Sequence, residues 1–70
     1  MGISLVDIGR KIRIARKSCK VTQAELSERS GLSIDTIRNL EYGRSTGTIR
    51  SLIAISTALG KRLVVFFDEY

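Results

Sequence analysis

Polar side chains recur at helical spacing in the middle of this 70-residue sequence, at Asp35, Arg38, Asn39 and Tyr42. Residues three, four and seven positions apart share one face of an α-helix, so these side chains should line up. Arginine can form two hydrogen bonds to the edge of guanine, and asparagine can do the same at adenine. Both residue types are also common on helix faces that contact only water. The stripe by itself therefore leaves both interpretations open.

Two short predicted helices, separated by a glycine, would hold this stripe in place. A capping box beginning at Thr22 predicts a helix over 22–30, and Gly31 suits the left-handed conformation that ends helices. Ser33 is a second N-terminal cap only two residues later and predicts a helix over 33–42. A helix, a glycine-containing turn and a second helix form a helix-turn-helix arrangement, which presents its second helix to a partner.

Further elements are predicted on both sides of this helix pair. Ser4 precedes an apolar-periodic run and predicts a helix over 5–18, and a broad apolar face predicts another over 48–59. The last residues change character, because β-branched and aromatic side chains without helical spacing predict a strand over 61–67. We therefore expect one mainly α domain over 1–70, with four helices and a C-terminal β-strand.

Composition narrows the classes of function. Lysine and arginine number 12 against 7 aspartates and glutamates, and the last ten residues are neutral, so the excess lies in residues 1–60. A basic body attracts polyanions, of which nucleic acid is the commonest, although basic composition alone can reflect solubility. The absence of histidine and the single cysteine remove the usual general base and the common zinc-ligand sets. We expect no enzymatic activity, no cofactor and no metal.

No targeting or membrane segment is visible in the sequence. No apolar run approaches the roughly 18 residues of a membrane-spanning helix, and the N-terminus lacks the layout of a signal peptide. We therefore expect a cytoplasmic protein, associated with the nucleoid and without a membrane partner.

The central segment resembles a known family. The stretches "TQAEL", "SGLS", "TIRNLE" and "YG" within Thr22–Gly43 are similar to the helix-turn-helix of the phage lambda Cro and repressor type, also called the XRE family. The resemblance extends over 5–60 and takes in all four predicted helices. It implies a four-helix lambda-repressor-like fold and binding to double-stranded DNA.

The resemblance also implies, position by position, which residues contact DNA. It implies base contacts from four residues of the third predicted helix, namely Ile34, Asp35, Arg38 and Asn39. It implies phosphate contacts from Gln23, which also braces the recognition helix, and from Arg44. Ser33 and Thr36 lie beside the base-facing positions and Lys20 lies near the same edge, so we expect backbone contacts from these three as well. Ile34 is apolar where several relatives carry glutamine, so we expect it to touch a thymine methyl group. Asp35 would repel phosphate, and we expect it either to accept a hydrogen bond from cytosine or to orient Arg38.

Arg16 and Glu41 match positions that form a partly buried ion pair between the first and third helices in phage repressors of this type. Glu41 shares its stripe with Ile37 and Leu40, where a carboxylate is unusual unless it is paired. The resemblance therefore implies structural roles for both residues, in positioning the recognition helix.

The predicted strand is the reason to expect a dimer. Its uncharged core consists of Leu63, Val64, Val65, Phe66 and Phe67. An unpaired strand leaves backbone donors and acceptors without partners, so we expect two chains to pair their strands across a two-fold axis. Such a dimer would bind a palindromic operator with its recognition helices about 34 Å apart. A disordered or core-packed tail in a monomer is the alternative.

The terminal strand and the short chain also resemble the DNA-binding antitoxins that pair with a HipA-type kinase toxin, through "LGKRLVVFF". We therefore expect a homodimeric transcriptional repressor that autoregulates its operon as an antitoxin. A stand-alone phage-type or restriction-modification controller regulator is the alternative within this class. A protein-interaction adaptor that uses the helix-turn-helix body is the alternative from another class.

Overall fold

The computed structural model describes residues 4–45 and 47–67. In these ranges the chain forms four α-helices and a C-terminal 3₁₀ helix: α1 (Leu5–Ser18), α2 (Gln23–Ser30), α3 (Ile34–Glu41), α4 (Ile49–Leu59) and the 3₁₀ helix Leu63–Phe66. Helix α3 packs against α1 and α2, and α2 also packs against α4. The α-helical part of the predicted fold class is confirmed.

Side-chain caps and a glycine fix the turn between α2 and α3. The Thr22 hydroxyl accepts from the Glu25 amide at 3.0 Å, and the Glu25 carboxylate accepts from the Thr22 amide at 2.9 Å, which completes the capping box. The hydrogen bond from the Thr22 amide lowers the pKa of Glu25. Gly31 ends α2 with a φ of 77°, and Ser33 caps α3 by accepting from the Thr36 amide at 3.1 Å. Local hydrogen bonds therefore determine where both helices begin.

A single hydrophobic core holds α3 by its inner face. The side chains that are essentially inaccessible to solvent come from all four helices and the 3₁₀ helix: Ile12, Leu26, Ile37, Leu40, Ile55 and Phe66. Two of them, Ile37 and Leu40, belong to α3 and are one turn apart. The side of α3 that carries them is fixed against the core, which leaves its other side to solvent.

The C-terminal segment is a 3₁₀ helix, so the prediction of a strand over 61–67 was wrong. The Val65 amide donates to the Arg62 carbonyl at 3.0 Å, and the Phe67 amide donates to the Val64 carbonyl at 2.9 Å. These are the three-residue hydrogen bonds of a 3₁₀ turn. Both hydrogen bonds are made within the chain, and no strand is present in the described ranges.

Burial of one aromatic ring explains why this segment is not extended. Phe66 is 0% exposed in the core, whereas Val64 and Val65 point toward solvent at 52% and 37% exposure, and Leu63 and Phe67 are half-buried. Strand propensity reflects side-chain packing on a sheet, and burying the Phe66 ring in the existing core outweighs it. The packing corresponds to the core-packed tail, and strand pairing between two chains loses its basis.

Helices α1 and α3 approach so closely at Gly9 that no side chain fits between them. A Cβ atom at Gly9 would lie 2.3 Å from the Leu40 carbonyl oxygen and 2.7 Å from that of Glu41. Both oxygens belong to the backbone and cannot rotate away as the end of a side chain can. Gly9 therefore sets the separation between α1 and the last turn of α3.

We predict that Gly9→Ala lowers the free energy of unfolding, although alanine is the better helix former. The added methyl group must push α1 away from α3, and overpacking commonly costs about 1–3 kcal/mol. Urea denaturation followed by circular dichroism measures the change. Ala24→Gly, at an exposed position of α2, reports the difference in helix propensity alone. A higher unfolding free energy for Gly9→Ala would contradict the close approach.

Candidate nucleic-acid interface

A buried ion pair joins α1 to α3. Arg16 Nε donates to Glu41 Oε2 at 2.6 Å, and Arg16 Nη2 donates to Glu41 Oε1 at 3.0 Å. The side chains of Arg16 and Glu41 are only 10% and 0% exposed. Arg16 Nη1 also donates to the Val21 carbonyl at 3.0 Å. The guanidinium therefore ties the end of α3 both to α1 and to the turn that precedes α2.

Gln23, the first residue of α2, extends this network. Its Nε2 atom donates to Glu41 Oε1 at 3.1 Å. A carboxylate can only accept, so the contact determines which end of the Gln23 amide faces Glu41. The same nitrogen carries a second hydrogen, which can donate to an acceptor outside the protein, such as a phosphate oxygen. In this arrangement Gln23 braces α3 and keeps one donor for a ligand.

The outer side of α3 carries the four residues predicted to contact bases. The side chains of Asp35 and Arg38 are 84% and 50% exposed, and Ile34 and Asn39 are half-buried. Arg38 Nη1 lies 3.8 Å from Asp35 Oδ1, which is a loose ion pair at the surface. Asp35 is therefore close enough to Arg38 to orient its guanidinium, which is one of the two roles expected for this carboxylate. Base contact by these four residues stays a prediction.

Two hydroxyl groups lie at the N-terminus of α3. Ser33 and Thr36 hydroxyl oxygens are 2.9 Å apart and share a hydrogen bond, in which either can donate. One bond uses one of the two hydroxyl hydrogens, so the pair keeps a second hydrogen for an outside acceptor. The N-terminus of a helix also favours anions. The arrangement is compatible with a DNA phosphate, and contact by Ser33 and Thr36 stays a prediction.

The two basic residues predicted to contact the DNA backbone flank the helix pair. Lys20 is exposed in the turn between α1 and α2 and has a φ of 58°, a left-handed conformation that is uncommon outside glycine. Arg44 is exposed just beyond α3, with its guanidinium 5.3 Å from the centre of the Tyr42 ring. Both positive charges are accessible to a polyanion, and their contact with phosphate stays a prediction.

Comparison with known proteins places this geometry in a family. The family described as helix-turn-helix matches residues 12–66, which include all of α2, α3 and α4. The chain belongs to this DNA-binding family, of the XRE type. The family resemblance noted in the sequence is confirmed, whereas its finer part, a C-terminal strand like that of the antitoxins, is not supported by the 3₁₀ helix at Leu63–Phe66.

The chain is similar to one known protein in sequence and to another in structure. The chain is 34% identical over 62 residues to the immunity repressor protein of Bacillus phage phi105, a match that covers 89% of this chain and 43% of that protein. The chain therefore spans less than half the length of this curated relative. In structure it is similar to the restriction-modification controller protein C.AhdI from Aeromonas hydrophila, with a TM-score of 0.87 and 25% identity. That match covers 90% of this chain and 96% of the controller chain.

No helix in the described ranges is both long enough and apolar enough to cross a membrane.

Proposed function

We propose that this protein is a sequence-specific transcriptional regulator that represses its target by occupying an operator. The observation that carries the proposal is the way α3 is held: a bidentate ion pair and the Gln23 amide fix one side, while the exposed Arg38 and the half-buried Asn39 lie on the other. A helix held in this way can enter the major groove without losing its orientation. Membership of the family and the similarity to a phage immunity repressor and a controller protein support the proposal.

In the proposed mode of binding, one set of residues recognises the bases and another contacts the phosphates. Arg38 and Asn39 read base edges in the major groove, and the methyl-bearing side chain of Ile34 contacts thymine. Gln23 and Arg44 donate to phosphates on either side of α3, which fixes the register of the helix on the duplex. No step of this function requires a cofactor or an enzymatic reaction, and the protein acts at the bacterial or phage DNA in the cytoplasm.

A homodimer through α4 replaces the strand-mediated dimer expected from the sequence. Ile49 and Ile53 are 60% and 48% exposed and lie one turn apart on α4. A contiguous exposed apolar patch on a small domain marks a surface that another molecule covers, and we infer that Ile49 and Ile53 lie in such a patch. Two copies joined there across a two-fold axis would bind a palindromic operator whose half-sites are about 34 Å apart.

We predict that Ile53→Lys prevents dimer formation, because a charge at this position would be buried unpaired in the interface. Sedimentation should give the mass of a monomer, and binding to a two-half-site operator should weaken. Ile14→Lys is the matched control, because Ile14 is also an exposed helical isoleucine, at 58%, but lies on α1. A dimer that persists in Ile53→Lys, or that is lost equally in Ile14→Lys, would exclude α4 as the interface.

We assign the stand-alone type of regulator, as in phages or restriction-modification systems, in place of an antitoxin. The expectation of a HipA-type kinase toxin depended on a terminal strand as well as on the short chain, and this segment instead folds onto its own core through Phe66. The adjacent gene distinguishes the types: a phage lysogeny region or a methylase supports the assignment, and a kinase-like toxin overturns it.

Selection from a random duplex library tests the proposed function. Enrichment of one palindromic sequence, with affinity that falls steeply as salt rises, is the expected result. The regulator proposal fails if no sequence is enriched and no duplex is bound in a salt-dependent manner. That outcome would favour an adaptor that uses the helix-turn-helix body to bind protein.

A further inference from the structure

The backbone just after α3 is held in a fixed path. The Gly43 amide donates to the Leu40 carbonyl at 3.2 Å, and the Arg44 amide donates to the Asn39 carbonyl at 2.9 Å. Gly43 has a φ of 74°. These two hydrogen bonds and the left-handed glycine form a Schellman motif, which ends the helix and satisfies its last carbonyls. The backbone of Arg44 is therefore fixed relative to Asn39, a residue on the outer side of α3.

The side chain of Arg44 is oriented by an aromatic ring. Its guanidinium carbon lies 5.3 Å from the centre of the Tyr42 ring, within the range of a cation–π interaction, and Tyr42 is 53% exposed. In the described ranges the arginines that pair with carboxylates are Arg10, Arg16 and Arg38. A carboxylate would neutralise Arg44 and occupy its donors. The face of a ring orients the guanidinium while its charge and its N–H groups stay available to an anion.

We propose that Tyr42 is a positioning residue that presents Arg44 to a phosphate of the DNA backbone. The proposal rests on the proposed function, because it assumes that α3 enters the major groove. A free arginine side chain loses rotamer entropy when it binds, and a guanidinium already stacked on a ring loses less. Since the Arg44 amide is bonded to the Asn39 carbonyl, the same motif keeps the phosphate contact in register with a base-reading residue.

A double-mutant cycle on the selected operator tests the role of Tyr42. Tyr42→Leu removes the ring and should weaken binding about two- to fivefold, the range that corresponds to an exposed cation–π interaction. Tyr42→Phe keeps the ring and should bind as the unmodified protein does. Arg44→Gln should weaken binding and reduce the salt slope by about 1. In the Arg44→Gln background, Tyr42→Leu should have no further effect.

A second measurement needs no DNA. The ring should shift the NMR signals of the Arg44 side chain in the unmodified protein and in Tyr42→Phe, and the shift should be lost in Tyr42→Leu. Three results would overturn the positioning role: Tyr42→Phe binding as weakly as Tyr42→Leu, an undiminished effect of Tyr42→Leu in the Arg44→Gln background, or no ring-dependent shift. If the unmodified protein binds its operator but the cycle shows no coupling, only the role of Tyr42 is wrong. If the unmodified protein binds no duplex at all, the proposed function fails as well.

Discussion

Arg16→Met is expected to lower the free energy of unfolding by about 3–5 kcal/mol, because it leaves a carboxylate buried without its counter-charge. The Glu41 side chain is 0% exposed, and two of its three hydrogen bonds from described residues come from Arg16. The amide of Gln23 alone does not compensate a buried charge. For a domain of 70 residues, a loss of this size is comparable to the whole expected stability.

Urea denaturation at neutral pH measures this loss, and two further variants make it interpretable. Arg10→Met is the matched control, because Arg10 lies on the same helix and pairs with Asp7 at 3.2 Å, but its side chain is 56% exposed. It should cost no more than about 1 kcal/mol. The double variant Arg16→Met/Glu41→Leu removes both charges and should be more stable than Arg16→Met alone.

An equal effect of Arg16→Met and Arg10→Met would mean that the buried pair does not hold α3. A double variant less stable than Arg16→Met would mean that hydrogen bonds to Glu41, including the one from Gln23, matter more than its charge. The first result would remove the ion pair from the network that is proposed to brace the recognition helix. The second would leave the network in place and assign its strength to the hydrogen bonds.

The positions of the helices are predictable from the sequence because their determinants are local. The Thr22 hydroxyl and the Glu25 carboxylate bond to backbone amides within three residues, and Ser33 does the same at the next helix. Such contacts join residues at most three positions apart, so they can be recognised without knowledge of the rest of the fold. The outward placement of Arg38 follows from equally local information, since helical spacing separates it from the buried Ile37.

The errors and omissions concern contacts between elements distant in the sequence. The apolar residues near Phe66 were wrongly predicted to form a strand. Whether they pair with a strand or fill the core depends on a space that only the assembled helices create. Gly9 is conspicuous only as a glycine within a helical pattern, which costs about 1 kcal/mol relative to alanine and hints at a packing reason. Its actual neighbours, the carbonyls of Leu40 and Glu41, depend on how α1 crosses α3.

The candidate site also combines features that the sequence predicts with features that depend on how the helices pack. The resemblance implied an ion pair between Arg16 and Glu41, but the hydrogen bond from Gln23 to that carboxylate depends on the relative placement of α2 and α3. The stacking of Arg44 on Tyr42 depends on the left-handed turn at Gly43. Residue type and spacing therefore identify the groups that are proposed to bind DNA, while the packing of the helices determines how firmly each group is held.

Arg38→Ala and Asn39→Ala should each remove about 1–3 kcal/mol of discrimination between the operator and random DNA, because each would lose the proposed bidentate contact to one base. Together they should abolish most of the specificity if the contacts are independent. Arg38→Lys should lose a similar amount of discrimination, since lysine keeps the positive charge but not the planar fork of donors. In Asn39→Ala the backbone carbonyl that accepts from Arg44 is unchanged, so the loop after α3 should keep its conformation.

Shift assays at one salt concentration, on the selected operator and on random duplex, measure the ratio of the two affinities. Arg29→Ala is the charge control, because Arg29 is an exposed arginine in the last turn of α2 and does not belong to α3. It should change both affinities by the same factor and leave the ratio as it was. If Arg38→Ala and Asn39→Ala also leave the ratio unchanged, these residues contribute equally to the affinity for every sequence and do not read bases. Specificity would then have to come from Ile34 and Asp35, or from the shape of the operator.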